Sequence, residues 1–124
     1  MIVSPITGTE VTFGYNHPLK TMFKKGQLPI KRGFYGDKID PKTVSLEHLL
    51  PVSKGGKTTF DNLVLASKAK NTERGNQPLS RYFNPEAFVE YINAVRKIKT
   101  KIFDGEKYAT MILETVQKLL KNGD

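Results

Sequence analysis

A small α+β fold, with short strands early in the chain and helices late, is what this sequence predicts, and three observations predict it. Between residues 43 and 76 two short apolar runs flank a Gly-Gly pair and lead into a capped helical stretch. From Asn84 onward, apolar residues recur at helical spacing in two blocks. The chain has 124 residues and no cysteine, a length that buries a core without disulfide or metal staples and fits a single domain over residues 1–124.

The elements follow in order. Ile2-Val3 and Glu10–Phe13 read as two short strands around the turn Ser4–Gly8, an N-terminal hairpin and loop region. The basic segment Leu19–Arg32, carrying Lys20, Lys24, Lys25, Lys31 and Arg32 with Gly26 and Pro29 inside it, reads as a loop with a short helical turn. Gly36–Pro41 is a turn region. Val44–Pro51 reads as a strand bending into a loop, Gly55-Gly56 as a flexible turn, and Leu63–Ala66 as the second strand. Ser67 caps a short helix over Lys68–Arg74, which Gly75 stops. Asn84 is the N-cap of the next helix and Pro85 its first residue. One face carries Phe88, Tyr91, Ile92, Val95 and Ile102. Asp104-Gly105 breaks the run, and a second amphipathic helix presents Tyr108, Met111, Ile112, Val116 and Leu119 before Gly123 ends it. These two form a C-terminal helical hairpin spanning about residues 84–122, with Lys97, Lys99 and Lys101 on its polar side.

Composition limits the function. Without cysteine there is no iron–sulfur cluster, no thiol catalysis and no cysteine-based zinc site. No apolar run approaches ~18 residues, so no transmembrane helix is expected. The start of the chain has no basic region followed by a long apolar core, so no signal peptide is expected. The 20 Lys+Arg against 12 Asp+Glu give a net charge of +8. Such a surface either meets a polyanion, most often nucleic acid, or is merely solubilising.

The chemistry gathers in one stretch. An acid–His–apolar–apolar–Pro run, Glu47-His48-Leu49-Leu50-Pro51, is followed by Ser53-Lys54-Gly55-Gly56, then Asp61-Asn62-Leu63, then Asn71-Thr72-Glu73-Arg74-Gly75. Any one of these is bland alone: a strand histidine is more often structural, and a loop asparagine is turn chemistry. Four in this order, over residues 43–76, resemble the HNH endonuclease family, whose core is the ββα-metal fold.

That resemblance implies a divalent-metal-dependent phosphodiester hydrolase acting on DNA, double-stranded by expectation. His48 would be the general base activating water. Glu47 and Asn71 would be the metal ligands, and Asn62 would hold the loop around His48 through backbone hydrogen bonds. Lys54, Lys57 and Arg74 would contact nucleic acid. One divalent ion, Mg²⁺ first, with Mn²⁺ or another as alternatives, would stabilise the leaving oxygen. The residue types suit this work. A neutral imidazole with an intrinsic pKa of ~6.5 can take a proton from water. A hard ion keeps several waters, so one carboxylate and one amide oxygen suffice as protein ligands. Successive strand residues point to opposite faces, so Glu47 and His48 serve one site only if the backbone bends there.

Two departures stand out. The acid before the histidine is Glu where many family members have Asp. Ser4–Gly8, "SPITG", is similar to a zinc-knuckle turn with both cysteines replaced. His17 lies far from the motif and reads as structural or surface. Small stand-alone HNH proteins of this kind occur in phages and bacteria, so a cytoplasmic setting, in a bacterial cell or a phage-infected host, is expected. Two other readings stay open: an inactive basic nucleic-acid-binding module, and an assembly protein using its helical hairpin. Oligomeric state, a homodimer included, is open as well.

Overall fold

The computed structural model describes residues 18–124, in the order α1 (Pro18–Lys24), β1 (Val44–His48), β2 (Leu63–Ser67), α2 (Lys68–Arg74), α3 (Leu79–Tyr82), α4 (Pro85–Arg96) and α5 (Gly105–Asn122). The N-terminal strands, the Ser4–Gly8 turn and His17 lie outside the described residues. Helices and a small antiparallel sheet together make this an α+β fold.

Helix α1 is longer than the single turn read from its sequence. Leu19, Met22 and Phe23, at i, i+3 and i+4, bury one face of it. The following chain turns at Gly33–Asp37, where Gly33 N donates to Asp37 O at 2.8 Å. Phe34 N then donates to Leu65 O at 2.8 Å, which ties this turn to the sheet.

Strands β1 and β2 are antiparallel, with Val44 opposite Ser67 and His48 opposite Leu63. A two-stranded sheet is marginal alone, and both of its outer edges are covered. Along β2, the Leu65 amide donates to Tyr91 Oη (3.0 Å), and Tyr108 Oη donates to Leu63 O (2.6 Å). The two hydroxyls are 2.9 Å apart. Tyr108 gives its proton to Leu63 O, so the Tyr91 hydroxyl donates to Tyr108. Burial pushes the Tyr91 hydroxyl up to about 12 and Tyr108 well above its usual value, so both stay protonated donors. Along β1, α2 does the same work from the other side, as described below.

Capping sets the helix starts. Ser67 accepts from Lys70 N at 3.0 Å, Asn84 from Ala87 N at 3.1 Å and Asp104 from Lys107 N at 3.2 Å. Asp104 therefore opens α5 rather than only breaking a run. Helix α4 ends at Arg96, so Ile102 is not on its apolar face. It is exposed in the 97–104 connection, and Lys97, Lys99 and Lys101 lie there too. Gly105 explains the geometry: its N–H donates to Ile98 O at 2.7 Å, and a Cβ there would sit 2.0 Å from Val95 O. Only glycine lets α5 start this close to the end of α4. The two helices pack on each other, and α5 also packs on the turn before β2. Tyr91, Ile92 and Val95 from α4, with Tyr108, Ile112, Val116 and Leu119 from α5, join Phe34, Phe60, Leu63 and Leu65 in one core cluster. Burying each such side chain is worth about 1.5–3 kcal/mol.

Candidate active site

Strand alternation sends Ser45 and Glu47 toward α2. On α2, Asn71 and Arg74 are three residues apart and share a face. Asn71 Nδ2 donates to Ser45 Oγ (3.3 Å) and to Leu46 O (3.2 Å). Arg74 Nη1 donates to His48 O at 3.0 Å, and Nη2 to Leu49 O at 2.7 Å. Leu46 and His48 are alternate strand residues, so their carbonyls point out of the same edge. Two helix side chains thus cap the edge of β1 that β2 leaves unpaired.

Arg74 is 1% exposed. Its Nε donates to Gln77 O (3.0 Å), Nη1 also to Tyr35 Oη (2.9 Å), and Nη1 stands 3.5 Å from Glu47 Oε2. Every face of the guanidinium is used inside the protein. The phosphate contact expected of Arg74 is not available to it, because its charge is committed to carbonyls and a buried carboxylate.

Glu47 is buried, at 4% exposure. The Tyr35 hydroxyl, accepting from Arg74, donates to Glu47 Oε2 at 2.8 Å. Burial raises the Glu47 carboxyl pKa, opposed by the Tyr35 hydrogen bond and the Arg74 charge. Burial also raises the Tyr35 hydroxyl, and the Glu47 charge adds to it, so Tyr35 remains a donor. One carboxylate oxygen is therefore committed to protein partners.

His48 leaves the opposite side of the strand, half-buried. The bend expected between Glu47 and His48 is absent: His48 is still paired with Leu63, and the chain turns only at Leu49–Pro51. The imidazole Nε2 lies 3.0 Å from Thr58 Oγ1. Desolvation lowers the His48 pKa below its ordinary value, which favours the neutral ring.

Asn62, 6% exposed, closes the loop that follows. Its Oδ1 accepts from Leu50 N (2.8 Å), while Nδ2 donates to Leu50 O (3.1 Å) and Lys57 O (2.9 Å). Its own carbonyl accepts from Leu49 N at 2.9 Å. The Gly55-Gly56 pair is a tight turn inside this loop: Gly55 has φ +93°, and a Cβ on Gly56 would lie 1.7 Å from Leu50 O. Lys54 and Lys57 are exposed on the loop. A cleft of about 450 Å³ separates the loop from α5, lined by Gly56, Lys57, Asp61 and Asn62 opposite Glu114 and Lys118. His48, Glu47 and Asn71 do not line it.

Among the described residues no cluster of three His, Asp or Glu side chains could hold a metal. The donors available for a cation are oxygens from Glu47 and Asn71. Both Asn71 hydrogen bonds use its nitrogen, so Oδ1 is the atom that could face a cation. A carboxylate and an amide oxygen fit a hard divalent ion that retains most of its waters. The Arg74 charge beside Glu47 weakens that site.

Three residues of this arrangement had no signal in the sequence. Tyr35 stands outside the motif, Thr58 is one of two consecutive threonines, and Ser45 is an ordinary strand serine. Only the fold brings them to Glu47, His48 and Asn71.

No curated protein and no solved structure matches the chain. Residues 34–78, which contain Tyr35, both strands and α2, match the family model described as HNH endonuclease. Over that segment, and not over the rest of its length, the chain is similar to the HNH endonuclease family.

Proposed function

We propose that the chain is a metal-dependent endonuclease that hydrolyses phosphodiester bonds in DNA, with His48 as general base. The observation that carries this reading is the backbone around His48: Arg74 holds its carbonyl and that of Leu49, and Asn62 clamps Leu49 and Leu50 from the other side. Such fixing of an isolated half-buried histidine has a purpose if the ring must meet a reacting water in one geometry.

In this reading Nε2–H donates to the Thr58 hydroxyl, and Nδ1 takes the proton from water. The depressed pKa of His48 keeps Nδ1 unprotonated at neutral pH. Glu47 and Asn71 would present one oxygen each to a divalent ion, Mg²⁺ first and Mn²⁺ as its substitute. Because the strand does not bend between Glu47 and His48, the reacting phosphate would have to lie across the end of β1 to meet both. When bound, that ion supplies charge neutralisation at the phosphate and the leaving 3′ oxygen. Tyr35 holds one Glu47 oxygen and keeps Arg74 from closing fully onto the carboxylate. Lys54 and Lys57 line the approach of the phosphate backbone. Arg74 orients; it does not bind substrate.

A second reading, a basic DNA-binding module without cleavage, draws support from the commitment of Glu47 Oε2 to Tyr35 and Arg74. Incubation of supercoiled plasmid with the purified protein and Mg²⁺ or Mn²⁺ decides between them. Cleavage that is lost in His48→Ala and with EDTA upholds the nuclease. Retention of the plasmid with no nicking, under conditions where the protein binds it, upholds the module.

A further inference from the structure

Lys68 opens α2 three residues before Asn71, so it stands on the helix face that carries the candidate metal ligand, one turn toward the helix start. Its backbone N–H donates to Thr43 O at 2.8 Å. This places it at the end of the sheet where Val44 faces Ser67. Helix α1 packs on β1, and its Lys20 and Lys24 are four residues apart, on one face. Lys24 and Lys68 are exposed and Lys20 half-buried. With α1 packed on β1 and Lys68 at the Thr43 end of that strand, the charges of Lys24 and Lys68 both reach Lys20.

Among the described residues none of the three is in an ion pair; the four lysine and arginine pairs there involve Lys70, Arg74, Arg96 and Lys99. The ammonium of Lys20 is pushed down, first by burial and then by the charges of Lys24 and Lys68. A solvated surface does not need three unneutralised cations within reach of one another, and their repulsion opposes folding. A polyanion would remove that cost.

We propose that Lys20, Lys24 and Lys68 form a phosphate-binding patch that seats the DNA backbone at the Val44–Ser67 end of the sheet. This deepens the nuclease reading and rests on it. Strand β1 has five residues, so the patch lies roughly 13 Å from His48 at ~3.3 Å per residue. Duplex DNA carries one charge per ~1.7 Å of axis, so a single duplex spans the patch and the site together. Lys54 and Lys57 sit at the His48 end, and the patch holds the duplex at the other end. The interaction is with phosphates and carries no sequence preference.

The test is fluorescence anisotropy of a 20-base-pair duplex in EDTA, across a KCl series, for the wild type and two triple variants. Lys20→Gln/Lys24→Gln/Lys68→Gln should bind at least 10-fold more weakly at low salt, and equally so for duplexes of unrelated sequence. Its plot of log affinity against log salt should flatten by about 0.9 for each phosphate no longer neutralised. Lys97→Gln/Lys99→Gln/Lys101→Gln removes the same formal charge from the α4–α5 connection and should keep both affinity and slope. Equal losses in the two variants would reduce the effect to net charge and overturn the patch. Wild-type binding by the first variant, with plasmid cleavage intact, would overturn the patch and leave the nuclease standing. A wild-type protein that does not bind DNA would sink both.

Discussion

Arg74 and Ile112 are both buried, at 1% and 0% exposure, yet they are surrounded by different things. Around Ile112, in the region of α4 and α5, lie apolar side chains whose attractions are interchangeable in kind: many, small and without required direction. Around Arg74, in the region from Val44 to Gly75, lie four oxygen acceptors and a carboxylate, each at a fixed angle. The first region tolerates adjustment because dispersion and burial are non-directional. The second does not, because a buried polar group deprived of its partner bears the full desolvation cost. The catalytic candidates lie in the directional region, and the apolar region supports it through Tyr91 and Tyr108, which grip β2 from behind.

The largest effect that can break this comparison is Arg74→Ala. It leaves Glu47 without its charge partner and the carbonyls of His48, Leu49 and Gln77 without a donor. Removing one member of a buried pair costs about 3–5 kcal/mol, against about 0.5–1.5 kcal/mol for Ile112→Val. Urea denaturation of both variants measures the difference. Equal midpoints would mean that the polar cluster is no more demanding than the helical core.

His48→Ala should separate chemistry from fold. Loss of a general base costs roughly 10²–10⁴-fold in rate, while the half-buried ring makes one side-chain hydrogen bond and its removal should leave the thermal midpoint nearly unchanged. The pH profile sharpens the point. Burial lowers the folded pKa of His48, so the active, neutral ring persists below the ordinary ~6.5. The acid limb of the rate should therefore lie below that value. The unfolded chain binds its proton near ~6.5 and the folded chain only lower, so stability from this group is present above that range and lost as pH falls through it. An acid limb above 6.5 would contradict a desolvated base.

What was legible in the sequence was whatever depends on local chemistry. Ser67, Asn84 and Pro85 announce helix starts, and Gly75 and Gly123 announce ends, because caps are decided within one turn of chain. The order of strand, glycine turn, strand and helix was legible for the same reason. The end of α4 was not. Helical spacing carried the face on to Ile102, but the close approach enforced at Gly105 halts the helix at Arg96, and nothing local signals where two helices meet. The destination of Arg74 was hidden too, because whether a cation turns inward to carbonyls or outward to phosphate depends on which strand edge lies opposite it. Tyr35 was unreadable because its partner Glu47 is distant in sequence. Asn62 reads as a loop residue from its neighbours, but its bonds to Leu50 and Lys57 depend on how the loop folds back on itself.

Asn62→Ala probes that clamp at intermediate size. It removes three hydrogen bonds and leaves Leu50 N, Leu50 O and Lys57 O to find other partners, at a cost of about 1–3 kcal/mol if they stay buried. Activity should fall because His48 no longer has its fixed backbone, while titration with Mn²⁺ should give the affinity of the wild type, since Asn62 supplies no ligand. Weakened Mn²⁺ binding in this variant would tie the loop to the metal site and merge two parts of the molecule that the structure keeps apart.

The smallest effect is the most specific. Thr58 touches the directional region at one atom: its hydroxyl, 3.0 Å from His48 Nε2. Thr58→Val keeps the shape and removes that atom. A net hydrogen bond is worth about 0.5–1.5 kcal/mol, which corresponds to roughly a 2- to 12-fold loss of rate if the bond orients the ring for reaction. Thr58 is exposed, so its replacement should change stability by no more than about 0.5 kcal/mol. Thr58→Ser restores the hydroxyl and should restore the rate. The three proteins are compared in single-turnover plasmid nicking, with thermal melts beside them. If Val and Ser variants both nick at the wild-type rate, Nε2 is not held by Thr58 during reaction, and the assignment of Nδ1 as the proton acceptor has no basis. If both are slow, the methyl group's setting on the loop matters rather than the hydroxyl. Only a slow Val and a fast Ser place the orienting hydrogen bond where the directional bonding of this region puts it.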